Sequence, residues 1–290
     1  MNSTDVRTDR SRGTPVAWLG IWTLARREIT RFVRQRSRFI GALAQPILFW
    51  LLFGAGLQGS FQAPDWAPEG TSYQAYFFPG IVLLILMFTA IFASISVIED
   101  RHEGFLQGVL VSPVSHRDLV LGKLTGATGL AVGQAVFFLG IGWVWSAFGS
   151  ASGVQSDMGL LNAAALLLFL CLIAFGLSAL GFMIAWRLDS VQGFHAIMSV
   201  VLMPMWLVSG AMFPGEDSVV LSWIIRLNPL SYGVAGVRRL LDGNISAVDV
   251  AGVSSGQVQG LPEMTTCVVV IAVFSVCCFQ MAVHQVRRVH

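Results

Sequence analysis

Six apolar runs, each near the length that crosses a bilayer, constrain this chain more than anything else in it. They cover residues 39–57, 76–98, 119–148, 160–186, 194–213 and 265–284. A hydrocarbon core of about 30 Å takes about 20 helical residues. In lipid the backbone must satisfy its own hydrogen bonds, so runs of this length are helices. Composition agrees: 55% of residues are apolar and 12% charged, where soluble domains carry about 25% charged residues. No stretch between the runs is long enough for a soluble domain. The expected fold is all-α and integral to the membrane: one domain over residues 1–290, with a cytoplasmic tail at 1–38 and six transmembrane helices in 39–286.

Charge sets the expected orientation. Arg7, Arg10, Arg12, Arg26, Arg27, Arg31, Arg34, Arg36 and Arg38 precede the first run, and Arg101, Arg117, Lys123, Arg187, Arg287 and Arg288 follow on the same side. Only Arg226, Arg238 and Arg239 fall on the other. Basic residues concentrate on the cytoplasmic side of membrane proteins, so both termini are expected there. The tail lacks the uninterrupted apolar core of a signal peptide. Cys171, Cys267, Cys277 and Cys278 lie within the runs, without metal spacing or a disulfide framework.

Three segments between the runs carry information. Residues 16–36 read as an amphipathic helix, with Trp18, Trp22, Ala25, Ile29 and Phe32 on one face and Arg27, Arg31 and Arg34 as a basic stripe beside it. Such a helix rests among lipid headgroups; it is either a membrane anchor or a docking helix. Residues 99–118 read as a helical elbow. Gly104 ends the preceding helix through positive φ, Ser112-Pro113 breaks the apolar stretch 105–111, and Ser115 caps the next helix above Asp118. That apolar stretch is odd in a mere connector and is explained by a partner surface. Residues 214–264 form a long outer loop with two short amphipathic helices. Asn228-Pro229 breaks between them, Asn as N-cap and Pro as first helical residue. About 11 residues per arm cannot cross the membrane, so the pair is expected to be re-entrant or interfacial, with Arg238 and Arg239 at headgroup level. Gly122, Gly126, Gly129 and Gly133 give the third run a small-residue face, for packing within the chain or for a dimer seam.

Catalytic chemistry is not legible. His102-Glu103 lacks the second histidine of a zinc helix, since position 106 is Leu. Gly122-Lys123-Leu124 lacks the Ser or Thr of a phosphate loop. No row of intramembrane acids points to an ion-coupled carrier.

Asp100-Arg101, Gly104-Phe105-Leu106, Val109-Leu110-Val111-Ser112-Pro113-Val114-Ser115 and Val120-Leu121-Gly122-Lys123 resemble the permease subunits of ABC-2 type exporters, in the daunorubicin-resistance and nodulation-factor group. Ser209-Gly210-Ala211-Met212-Phe213-Pro214 and Asn228-Pro229-Leu230-Ser231-Tyr232-Gly233-Val234 with Arg238 add to it. The order of parts matches along nearly the whole chain. Gln107-Gly108 departs from the pattern, which has an acidic and a bulkier residue there. The resemblance implies a permease that moves an amphiphilic substrate (drug, lipid or lipid-linked glycan) across a prokaryotic plasma membrane, driven by a separate cytoplasmic ATP-binding subunit. ATP and magnesium are then expected on that subunit, and no cofactor on this chain. A second permease subunit, identical or paralogous, and membrane lipids are the other expected partners, and nucleic acid is not one. Glu99, Asp100, Arg101, Gly104, Phe105, Leu106, Val109 and Pro113 of the elbow, with Arg27 and Arg31, are expected to couple to the ATPase. Pro214, Asn228, Pro229, Tyr232 and Arg238 are expected at the outer gate. Phe88, Phe92, Met203 and Trp206 are placed on the path by position alone. The rivals are an ion or haem exporter of similar fold and a non-transporting anchor that recruits an ATPase.

Overall fold

The computed structural model describes residues 14–64, 67, 70–110, 115–148, 159–212, 219–241 and 261–288, and every regular element among them is a helix. In chain order these are α1 (Thr14–Arg34), α2 (Arg36–Gly56), α3 (Tyr73–His102), α4 (Phe105–Leu110), α5 (His116–Ala147), α6 (Leu160–Arg187), α7 (Val191–Ala211), α8 (Val219–Leu227), α9 (Pro229–Leu241) and α10 (Met264–Arg287). Five of them, α3, α5, α6, α7 and α10, are long and apolar enough to span a membrane. The first expected span is shorter. The apolar part of α2 is Ile40–Gly56, which at 1.5 Å per residue reaches about 25 Å, less than a full hydrocarbon core.

Local chemistry sets the helix ends where polar side chains can cap them. Ser72 Oγ accepts from Ala75 N–H at 3.1 Å, Ser115 Oγ from Asp118 N–H at 3.1 Å and Ser190 Oγ from Gly193 N–H at 3.0 Å. Each satisfies one of the orphan donors of a first turn. Gly104 has φ +74°, so the chain turns out of α3 into α4 as the sequence predicts.

Helix α3 is the central post. Its apolar stretch is 89% buried within the chain, against 33% to 50% for the other four spans. It packs on α2, α5 and α6, while α6 packs on α10. Helix α1 lies along α5, and the glycine face decides how closely. A Cβ on Gly122 would stand 2.8 Å from Leu24 Cβ, and one on Gly126 would stand 2.8 Å from Glu28 Cβ and 2.9 Å from the Ala25 carbonyl. The 122/126 pair is therefore a seam within the chain. Gly133 has open space.

Helix α7 is irregular. Wide π-type turns at Met198–Leu202 and Leu207–Ala211 flank Pro204, and Gly210 sits at φ +74°. Proline removes a backbone donor and crowds the preceding turn, so the helix cannot run regularly through it.

The pair α8–α9 folds back into the bundle. Asn228, at the break, reaches the Met205 carbonyl inside α7. Gly233 then faces Leu83 and Ile173, and Gly236 faces Phe169 and Cys267. Leu83 lies ten residues into α3, about 15 Å from its start. The hairpin thus dips among α3, α6, α7 and α10 and returns.

Candidate functional site

The last turn of α3 is where the basic end of the bundle is tied together. Successive residues of a helix point about 100° apart, so Glu99, Asp100 and Glu103 face one way while Arg101 and His102 face another. The acidic side meets α1 and α5. The Asp100 carboxylate is fully buried. Arg27 forks onto it with Nη1–Oδ2 at 2.9 Å and Nη2–Oδ1 at 2.7 Å, and Arg31 Nη1 donates to Oδ1 at 2.6 Å. Lys123 Nζ donates to Oδ2 at 2.6 Å. An ionised carboxylate offers about four acceptor positions, and Asp100 fills them. Lys123, also buried, uses all three of its donors, with Glu28 Oε1 at 2.7 Å and Ser96 Oγ at 3.2 Å as the others. Arg31 reaches further to Glu99 at 3.0 Å and Glu103 at 2.9 Å.

These hydrogen bonds to Asp100 are the largest influence on Arg27 and hold its guanidinium above its ordinary pKa. Arg27 is therefore a fixed cation at any physiological pH. Its guanidinium also lies over the Phe105 ring, 3.7 Å from the centroid, which joins α4 to the same cluster. On the other side of α3, Arg101 donates to Asp189 Oδ1 at 3.1 Å and to the Trp186 carbonyl, and His102 Nε2 lies 2.7 Å from the Asp189 carbonyl. One helical turn thus binds α1, α4, α5 and the α6–α7 connection. A buried charge survives only if paired and hydrogen-bonded throughout, and this cluster meets that condition.

Of the elbow residues, Glu99, Asp100, Arg101, Gly104 and Phe105 are gathered here with Arg27 and Arg31. Leu106 is corrected: it is buried in the chain's own core. Helix α4 exposes Gln107 and Gly108 instead, with Val109 half-buried. Pro113 lies outside the described residues. Helix α1 is corrected as well. Its chain-facing side is Leu24, Ala25, Glu28 and Phe32, while Trp18, Leu19, Trp22 and Val33 face outward. The close approach at Gly122 and Gly126 selects that side, and Glu28 is admitted to it because Lys123 waits there. Glu28, Ser96, Lys123 and Asp189 were missed as partners. A lysine inside an apolar run was the available signal, since such a residue calls for a buried partner.

At the hairpin end the connections are of another kind. The last carbonyls of a helix lack intrahelical partners. Tyr76 Oη donates to the Gly210 carbonyl at 3.1 Å and Tyr73 Oη to that of Met212 at 3.1 Å. Trp206 Nε1 donates to the Gly80 carbonyl at 2.9 Å. Gly80 permits that approach, as a Cβ there would stand 2.7 Å from Ala211 Cβ. Asn228 caps α9 through Leu230 N–H at 3.0 Å, Pro229 opens that helix, and Tyr232 Oη donates to the Arg226 carbonyl at 2.9 Å. Arg238 and Arg239 are both buried within the chain. Arg238 donates to the Tyr76 carbonyl at 3.2 Å and lies 4.4 Å from that ring's centroid, and Arg239 donates to the Leu261 carbonyl at 2.9 Å. The carbonyls at the mouth of α3 and before α10 draw them inward. Pro214 lies outside the described residues. Trp206 is held in the core, while Phe88 and Phe92 stack at 5.5 Å and are half-buried. Among the described residues no group of His, Cys, Asp and Glu side chains could hold a metal ion.

Comparison with known proteins gives concordant results. Residues 20–241 match the family described as ABC-2 type transporter. The chain is 29% identical over 219 residues to a protein named transport permease ycf38 from Pyropia yezoensis, covering 73% of this chain and 72% of that one. It is 27% identical over 241 residues to nodulation protein J of Rhizobium leguminosarum bv. trifolii, covering 82% and 86%.

Proposed function

The chain belongs to the ABC-2 type transporter family, and from that premise we propose that this transport permease subunit is driven by a separate ATP-binding subunit and exports an amphiphilic substrate. The family is a membrane component of transporters and not itself catalytic. The basic end of the bundle faces the cytoplasm of a prokaryotic cell in this reading, and the ATP-binding subunit docks beside α4. Glu99, Asp100, Arg101, Gly104, Phe105, Val109, Arg27 and Arg31 form the coupling region, with Pro113 beside it. Asn228, Pro229, Tyr232 and Arg238, with Pro214, form the outer gate. ATP and magnesium belong to the partner, and a second permease subunit completes the transporter.

The observation that carries this reading is the four-bonded Asp100. It joins α1, α3 and α5 directly, and α4 through Arg27. A push delivered at α4 is thereby applied to the central post and to a neighbouring span together. Packed helices that shift as bodies are a known mode of switching. An amphiphilic cargo suits the apolar interior of the chain.

The test is ATPase activity of the chain co-reconstituted in proteoliposomes with an ATP-binding subunit encoded beside it. Stimulation by a lipid-like cargo, lost in Asp100→Ala but with partner binding retained, is the expected result. Stable binding of the partner with no stimulation by any cargo would mean an anchoring protein instead.

A further inference from the structure

Helix α1 carries a second feature, which borders the coupling cluster. An open groove of about 670 Å³ runs along it, lined by Thr23, Arg26, Arg27, Thr30, Arg31, Arg34, Gln35 and Glu103. Arg27 and Arg31 form its floor, held by Asp100. Arg26 and Arg34 are exposed and make no ion pair among the described residues. The hydroxyls of Thr23 and Thr30 donate to carbonyls of their own helix, so guanidinium groups are the groove's main donors.

The groove's place on the helix identifies its occupant. At 100° per residue, Trp18, Trp22, Ile29 and Val33 form one stripe, and all four are exposed, Trp18 by 68% and Trp22 by 56%. Tryptophans favour the membrane interface. Arg26 borders this stripe, Thr30 and Arg34 follow around the helix, and the face on α5 comes last. With the stripe in lipid, the groove opens at the level of the headgroups. Guanidinium forks match phosphate oxygens. We propose that this groove is a binding site for the headgroup of an anionic phospholipid, with Arg26 and Arg34 as its free contacts. The site rests on the membrane placement of α1 in the reading above. Occupied, it adds an anion beside Arg27 and Arg31 and fixes α1 at the depth at which they meet Asp100.

The test uses the full-length chain alone, so failure to recruit an ATP-binding subunit leaves its result intact. The chain in detergent is titrated with phosphatidylglycerol or phosphatidylcholine, and bound lipid is counted by native mass spectrometry. The wild type is expected to prefer phosphatidylglycerol. The variant Arg26→Gln/Arg34→Gln is expected to lose that preference by roughly tenfold or more, since each cation near an anionic surface contributes on the order of 1 kcal/mol, about fivefold in affinity. The pair Arg287→Gln/Arg288→Gln, exposed at the same end, should keep it. No preference in the wild type, an unaltered double variant, or an equal loss in the Arg287/Arg288 control would each overturn the site.

Discussion

The two ends of this bundle are fastened by different chemistry. At the basic end, Asp100, Lys123, Glu28, Arg27 and Arg31 join three helices through short charged hydrogen bonds, and Asp100 and Lys123 are used to capacity. At the hairpin end, Tyr73, Tyr76, Trp206 and Asn228 each donate a neutral hydrogen bond across to a backbone carbonyl. The first arrangement cannot be opened one bond at a time, because every release leaves a buried charge without its partner. The second can, since each neutral hydrogen bond contributes only about 1 kcal/mol net. The irregular turn of α7 at Leu207–Ala211 lies at the end that can be rearranged. One chain is thereby rigid at one end and open to rearrangement at the other.

Substitutions that break this contrast should be graded accordingly. Asp100→Ala should cost the most, about 3–5 kcal/mol, because it leaves Lys123 and two arginines facing one another. Thermal unfolding of the detergent-solubilised chain measures it, and a loss below 1 kcal/mol would reduce the cluster to a surface salt bridge. Next is Gly126→Leu, whose Cβ meets Glu28 and the Ala25 carbonyl below 3 Å. Overpacking of this kind costs about 1–3 kcal/mol, and it should lift α1 off α5, seen as faster proteolysis within α1. Tyr73→Phe should cost about 1 kcal/mol through the Met212 carbonyl, and it should loosen the hairpin end alone, with α1 proteolysis unaltered. The smallest effect is expected for Glu103→Gln. Its side chain is 57% exposed, and such pairs contribute well under 1 kcal/mol; a larger loss would extend the rigid cluster out to the surface.

Much of this architecture was legible because period and punctuation agree locally. Ser115, Gly104 and Asn228-Pro229 mark their helix boundaries in both sequence and structure, and the runs of residues 160–186 and 265–284 became α6 and α10 nearly unaltered. What was not legible depended on partners distant in the chain. Glu28 is 95 residues from Lys123, and nothing near either one announces the other. Arg238 and Arg239 look like interfacial cations until the carbonyls of Tyr76 and Leu261 are seen to stand beside them. Leu106 looks like partner surface until α4 is folded back on the bundle. Trp18 and Phe32 fall on one face by period, but a helix lodged in a groove at Gly122 and Gly126 divides its apolar residues between the interior and the surface. Periodicity says which residues share a face and does not say what that face meets.

The rigid end and the rearrangeable end are separated most directly by two distances. In the chain assembled with the proposed ATP-binding subunit and stripped of the four native cysteines, spin labels at Thr23→Cys and Thr125→Cys report on α1 against α5, and labels at Leu207→Cys and Trp223→Cys report on α7 against α8. All four positions are exposed. Pulsed electron resonance is recorded without nucleotide and with a trapped ATP analogue. The account predicts an unaltered α1–α5 distance and a shifted or broadened α7–α8 distance. A shift between α1 and α5 with the hairpin end unmoved would contradict it.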